Sequence, residues 1–284
     1  MSKLFAGEPI QAVKFSTEDF RTYHNTASVI SQEAITDFFY KLKDSFATLS
    51  SSIAGLDNDK IVTDTLSSRF EAEHVVKRVK FAELRDETVS KPEKFKGKYV
   101  DFTADMIKAA SILVDNTQES LVNLKMAVSS FINEYSEDKV STLYGISYFR
   151  DAEKLTESQR KEIAPYFNGS GVKAYVGDLL KSLNDIGTLH SDVQTLDSVL
   201  NQSKIEHIAK LANEVAELID VLIEQNTKTG VLLKNDSTKK ELVNAVHIVA
   251  KEVELVSYMY SNCILFYSAF KTLSTKIIEV GNRT

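Results

Sequence analysis

Ten glycines and three prolines in 284 residues leave few places where a helix has to stop. An average chain carries roughly 7% glycine and 5% proline. These are the residues a helix interior tolerates least: proline lacks the N–H and clashes with the preceding turn, and glycine loses the most backbone entropy. Apolar residues recur three and four apart over long stretches, and tryptophan is absent. The spacing predicts an all-α chain, an elongated bundle of about six to eight helices with a long C-terminal helix and an extended N-terminal arm.

Bulk properties narrow the class further. The length admits one large domain or two modest ones. Hydrophobic residues make up 43% and charged residues 26%, enough for a core that needs neither metal nor disulfide. The single cysteine, Cys263, excludes an intramolecular disulfide framework. A net charge of −6 argues against a general polyanion binder. Met1–Pro9 contains no apolar run of signal-peptide length, and no cleaved export signal is expected. The longest uncharged run, Leu255 to Phe270, has 16 residues, includes Ser257, Ser261, Asn262 and Ser268, and falls short of the roughly 20 that span a bilayer. A buried bundle helix is expected there, and the expected location is the cytoplasm or the interior of a virion.

Three regions are expected: an arm over 1–29, a helical region over 30–168, and an antiparallel long-helix bundle over 172–284, the last two either separate or one continuous domain. In the arm, Pro9 precedes Ile10-Gln11-Ala12-Val13-Lys14-Phe15, which reads as extended. Ile35, Phe39, Leu42, Phe46, Leu49 and Ile53 mark a first helix, and a second is expected from about Asp59 to Asp86. Thr88 to Lys98 reads as a loop. A helical stretch follows from Tyr99 to Glu134, with Asp115-Asn116-Thr117 as a kink or a break with a new N-cap. Thr156 with Gln159 makes a capping box in the irregular middle. Asn168-Gly169-Ser170-Gly171 is the strongest breaker, read as a flexible turn before a helix over about 173–201. Ser203 with Glu206 forms another capping box, followed by Ile205, Ile208, Ala212, Val215, Ile219 and Leu222. In the last helix, about 237–280, Leu242, Val249, Val256, Cys263, Phe270 and Ile277 repeat every seven residues beside Val246, Val253, Tyr260, Tyr267 and Ser274. Met259, Phe266 and Leu273 broaden that face, so this helix is expected to be a central strut.

Chemistry-bearing patterns are sparse. None of His24, His74, His190, His207 and His247 sits in an H-E-x-x-H pattern, and Glu71 with His74 supplies only one of the two Glu-x-x-His steps a dinuclear bundle site uses. Gly169-Ser170-Gly171 lacks phosphate-loop spacing, and no G-x-S-x-G elbow occurs. Cys263 lies on the heptad seam, where a buried thiol is packing material. Tyr258, Tyr260, Phe266, Tyr267 and Phe270 read as core, with a ligand-facing cluster as the alternative. No catalytic residue, metal or cofactor is expected.

One charge feature stands out. Lys77, Arg78, Lys80, Arg85, Lys91, Lys94, Lys96 and Lys98 face only Glu83, Asp86, Glu87 and Glu93 across residues 77–98, eight cations against four anions. Phe81, Phe95 and Tyr99 are interleaved. The pattern reads either as a solvated helix end or as a patch for nucleic acid, an anionic membrane or an acidic protein. The expected function is that of a non-enzymatic structural or assembly protein with protein partners, homo- or hetero-oligomeric. A membrane-acting helical protein, a pore former or a membrane-curving dimer, is the alternative. In general style, helical with Ser/Thr/Asn-rich turns, the chain is similar to virion or head-interior proteins of large tailed bacteriophages.

Overall fold

A computed structural model describes residues 74–134, 166–167, 169–229 and 236–283, together with Tyr40, Lys43, Ala47 and Thr65. The expectations for the arm, for most of the first two helices and for the Thr156 capping box lie outside these residues. The described chain is mainly helical. In order it forms α1 (Phe81–Leu84), β1 (Thr88–Pro92), α2 (Tyr99–Glu134), β2 (Gly171–Tyr175), α3 (Val176–Leu179), α4 (Asn184–Val199), α5 (Gln202–Thr229) and α6 (Asp236–Gly281).

The two longest helices follow directly from their apolar spacing. α2 has 36 residues, about 54 Å at 1.5 Å per residue. Tyr99, Phe102, Met106, Ala109 and Leu113 of its first stripe are buried, as are Val114, Leu121, Leu124 and Val128 of its second. The helix runs unbroken through Asp115-Asn116-Thr117. Thr117 is fully buried between the two stripes, so packing outweighs the local capping preference of these residues. α2 is also the common neighbour, packing against α4, α5 and α6.

α6 has 46 residues, about 69 Å. Both heptad sets are buried wherever their side chains are described, Val246 through Ser274 and Val249 through Ile277. Between Ala245 and Lys271 no described side chain is exposed, which is the signature of a helix enclosed by others. In α5, Ile205, Ile208, Ala212, Val215, Ile219 and Leu222 are all fully buried. Its N-cap is Asn201, whose Oδ1 accepts the Lys204 N–H at 2.9 Å. The expected box at Ser203 is displaced because Asn201 reaches the third amide of the helix first, while Glu206 accepts from Gln202 at 2.9 Å.

The expected helical class holds for the described residues, and one two-stranded antiparallel sheet is added to it. Residues 88–92, read as loop, pair with 171–175, read as a turn and helix start, in the register Thr88↔Tyr175 to Pro92↔Gly171. Val89 and Ala174 point inward and are buried, which fixes the register. The helix expected over 173–201 is therefore divided. After α3 the chain is extended at Leu180, and α4 begins at Asn184 with Asp185 accepting the Lys181 and Ser182 N–H groups. The helix expected to reach Asp86 turns at residues 77–79 and resumes as α1. Gly281 sits against this bend so closely that a Cβ there would overlap a Val75 methyl. Gly97, at φ 107°, and Gly169, at φ 135°, lead into α2 and β2 through backbone conformations that side chains disfavour.

Aromatic rings join these pieces. Phe167 lies 4.8 Å from Phe102, 5.0 Å from Phe95 and 5.6 Å from Phe266, centroid to centroid. Its N–H donates to Asn262 Oδ1 at 3.1 Å, and Asn262 Nδ2 donates to the Tyr258 carbonyl at 3.1 Å. Replacing Asn262 with leucine strands a buried N–H. The Asn262→Leu variant is expected to lose about 1–3 kcal/mol in urea unfolding, the range for an unsatisfied buried donor.

Candidate functional site

The basic window spans the bend before α1, all of β1 and the turn into α2, and its eight cations separate into two sets. Lys91 Nζ donates to the Phe95 carbonyl at 2.6 Å, and Lys98 Nζ donates to the Gly177 carbonyl at 2.5 Å. Lys91 closes the turn after β1, and Lys98 ties the start of α2 to α3. Arg85 Nε is 3.4 Å from Asp86 Oδ1. Lys77, Arg78, Lys80, Lys94 and Lys96 are exposed. Of the interleaved aromatics, Phe95 and Tyr99 are buried and Phe81 is half-buried against the core. Phe95 and Tyr99 therefore present no ring for base stacking.

The four acids of the window are each engaged within the fold. Glu83 Oε2 accepts from the Lys80 N–H at 3.4 Å. Glu93 Oε2 accepts from Ser170 Oγ at 3.1 Å. Asp86 meets Arg85. Glu87 reaches the end of α6, where Lys276 Nζ lies 3.0 Å from Oε2 and Arg283 Nη1 lies 3.6 Å from Oε1. The Lys276 hydrogen bond holds the Glu87 carboxyl below its ordinary range, with Arg283 adding to it and partial burial opposing it. The Glu87 carbonyl also accepts the Val176 N–H at 2.9 Å. One residue thus links the start of β1, the end of β2 and the end of α6.

The structure adds two residues to the window that sequence spacing did not single out. Lys173 and Tyr175 lie on β2, opposite Ser90 and Thr88, and both are exposed, Tyr175 by 57%. Their signal was the alternation of Val172 and Ala174 with polar neighbours, the period of a half-buried strand.

The remaining candidates disperse. His190 is buried, its ring 5.0 Å from Phe270, whereas His74 and His207 are exposed. His24 and Glu71 lie outside the described residues. Among the described residues no group of three His, Cys, Asp or Glu side chains could hold a metal ion, and no helix is long and apolar enough to cross a membrane. Burial pushes the Cys263 thiol well above its usual range, and the Tyr267 hydroxyl likewise. Tyr260, Phe266, Tyr267 and Phe270 are core. Among the described carboxylates Glu252 is the buried one: it lies on α6, the Ser120 hydroxyl of α2 hydrogen-bonds it, and burial raises it to about 7.

No protein family, curated protein or solved structure matches the chain.

Two pH dependences follow with opposite signs. Glu87 is depressed, so its contribution is complete above the ordinary carboxylate range and disappears as pH falls through its lowered value. Glu87→Gln should melt below the wild type at about pH 7 and match it at about pH 2 in thermal scans. Glu252 is raised, so the native state binds the extra proton between about 4.5 and about 7, and stability falls as pH rises through that window. Glu252→Gln should match the wild type at about pH 4 and exceed it by up to about 3 kcal/mol at about pH 8 in urea titrations.

Proposed function

We propose that the chain is a non-enzymatic structural or assembly protein, a component of a multi-subunit particle such as the virion of a large tailed bacteriophage. It acts through helix faces and its N-terminal arm. The supporting observation is the outer face of α2. Ile112, Val122 and Met126 are 43%, 38% and 56% exposed on it, interspersed with exposed Lys108, Asp115 and Glu119. Positions 108, 112, 115, 119, 122 and 126 advance by four and three, so they share one line along the helix. Val122 and Met126 are one turn apart and form an apolar spot, with Ile112 further along a line whose other members are charged. A helix of about 54 Å that buries its other faces and leaves this line uncovered suits a rigid part of an assembly.

Support also comes from the use of the interior. The uncharged run Leu255–Phe270, the longest in the sequence, has no exposed side chain and so offers no face to a membrane. Burial raises the thiol and the deeply buried phenols further from ionisation, as in packing groups rather than nucleophiles.

Light scattering tests the reading. The intact chain is expected to exceed the 31.8 kDa of one copy, and removal of residues 1–29 or Met126→Glu is expected to lower that mass. A chain that stays at 31.8 kDa at every concentration and binds no protein from its native particle overturns it.

A further inference from the structure

We propose that the outer edge of β2 is a docking edge for an extended, acidic segment of a partner protein, which adds as a third strand with a carboxylate beside Lys173. The proposal deepens the assembly reading by naming the partner's chemistry, and it rests on that reading for the existence of a partner.

The geometry of the ribbon carries the inference. Val176 N–H donates to the Glu87 carbonyl and Glu93 N–H to the Ser170 carbonyl. In the β1–β2 register these are directly opposed pairs. Hydrogen-bonded pairs alternate with non-bonded pairs along an antiparallel ladder, so Val89↔Ala174 and Lys91↔Val172 are the bonded pairs between them. The backbone groups of Gly171, Lys173 and Tyr175 consequently point away from β1. Pro92, which has no N–H to offer, occupies an outward position on β1, where a ladder tolerates proline. Among the described residues the sheet ends at β2. Gly171, Lys173 and Tyr175 are also the exposed residues of that strand. An edge of alternating unpaired N–H and C=O groups is a template for strand addition.

Charge selects the occupant. Lys173 is central in β2, so an antiparallel second copy of β2 pairing about that centre would place lysine opposite lysine, which is unfavourable. Lys94 and Lys96 follow β1 at the Gly171 end of the ribbon, where Glu93 is tied to Ser170. At the other end Glu87 is tied to Lys276 and Arg283. The carboxylates flanking the edge are thus satisfied internally while its lysines are exposed. A strand with a central acid meets both the backbone row and the charge, with Tyr175 offering an apolar ring beside it.

Amide exchange on the intact chain tests this with three blocked seven-residue peptides. One alternates threonine and valine around a central glutamate; the second has lysine at the centre; the third is the glutamate peptide with its backbone N-methylated on the pairing edge. In the free protein the Lys173 and Tyr175 amides should exchange fast and those of Val172 and Ala174 slowly, which also verifies that the ribbon is folded. The glutamate peptide should slow Lys173 and Tyr175, and it should bind roughly tenfold tighter than the lysine peptide, the size of a charge swap across a strand pair. The N-methylated peptide should not bind. Lys173→Glu should reverse the preference while leaving Val172 and Ala174 protected.

Protection of Lys173 and Tyr175 in the free chain overturns the proposal, because the edge is then already covered. So does failure of the glutamate peptide to bind, or equal binding by the N-methylated or lysine peptide. Protection by single-stranded DNA or anionic vesicles with no effect of the glutamate peptide also overturns it, in favour of a polyanion surface. An oligomer seen by light scattering with no peptide binding removes this edge and leaves the assembly reading standing.

Discussion

Phe167 is the contact on which the described fold depends. Its ring touches the turn after β1 through Phe95, α2 through Phe102 and α6 through Phe266. Its backbone is fixed by a side chain of α6, Asn262. The adjoining segments at Phe95 and Phe102 and the distant Phe266 converge on one ring, and tilted and edge-on packing of these aromatics sets their angles. Without it, α2 and α6 would still have apolar faces to bury. They would lack the shared point that fixes how the ribbon end of the molecule sits on them.

Around that point the structure is a hierarchy of two long helices and a small joint. α2 supplies the common face for α4, α5 and α6. The ribbon closes one end, where Glu87 joins β1, β2 and the last turns of α6. The joint is polar and partly solvated while the long helices are packed with apolar side chains. Local opening is therefore expected at the ribbon before the helices. A surface used for recognition gains from that placement, since strand addition needs an edge that can adapt without disturbing the core.

Much of this was readable from residue spacing, and the unreadable part has a common cause. The apolar seams of α5 and α6 were visible because a seven-residue repeat is a local property, and Val246, Val253, Tyr260, Tyr267 and Ser274 are buried as the spacing required. The span of α2 was also legible, although Asp115-Asn116-Thr117 carried a local signal for interruption that burial of Thr117 overrode. The ribbon was missed because each strand is five residues long. Their end residues Pro92 and Gly171 speak locally for a loop, and pairing is visible only when residues about eighty positions apart are brought together. The basic window was legible as charge. Which cations remain exposed was not, because Lys91 and Lys98 are absorbed by carbonyls at Phe95 and Gly177 that no sequence pattern announces.

The same long-range closure has a kinetic consequence. Helical bundles fold quickly when neighbours in sequence are neighbours in space. Here the Lys98 side chain waits for Gly177, 79 residues later, and the Phe167 N–H waits for Asn262, 95 residues later. Thr65 donates to the Tyr267 carbonyl across 202 residues. The loop-closure entropy of such contacts must be overcome before any of them forms. During synthesis the face of α2 that packs on α6 emerges well before α6 exists to cover it, so the nascent chain carries exposed core surface until α6 is made. A protein helical in content thus acquires the slow, late-closing folding that topology imposes on sheets.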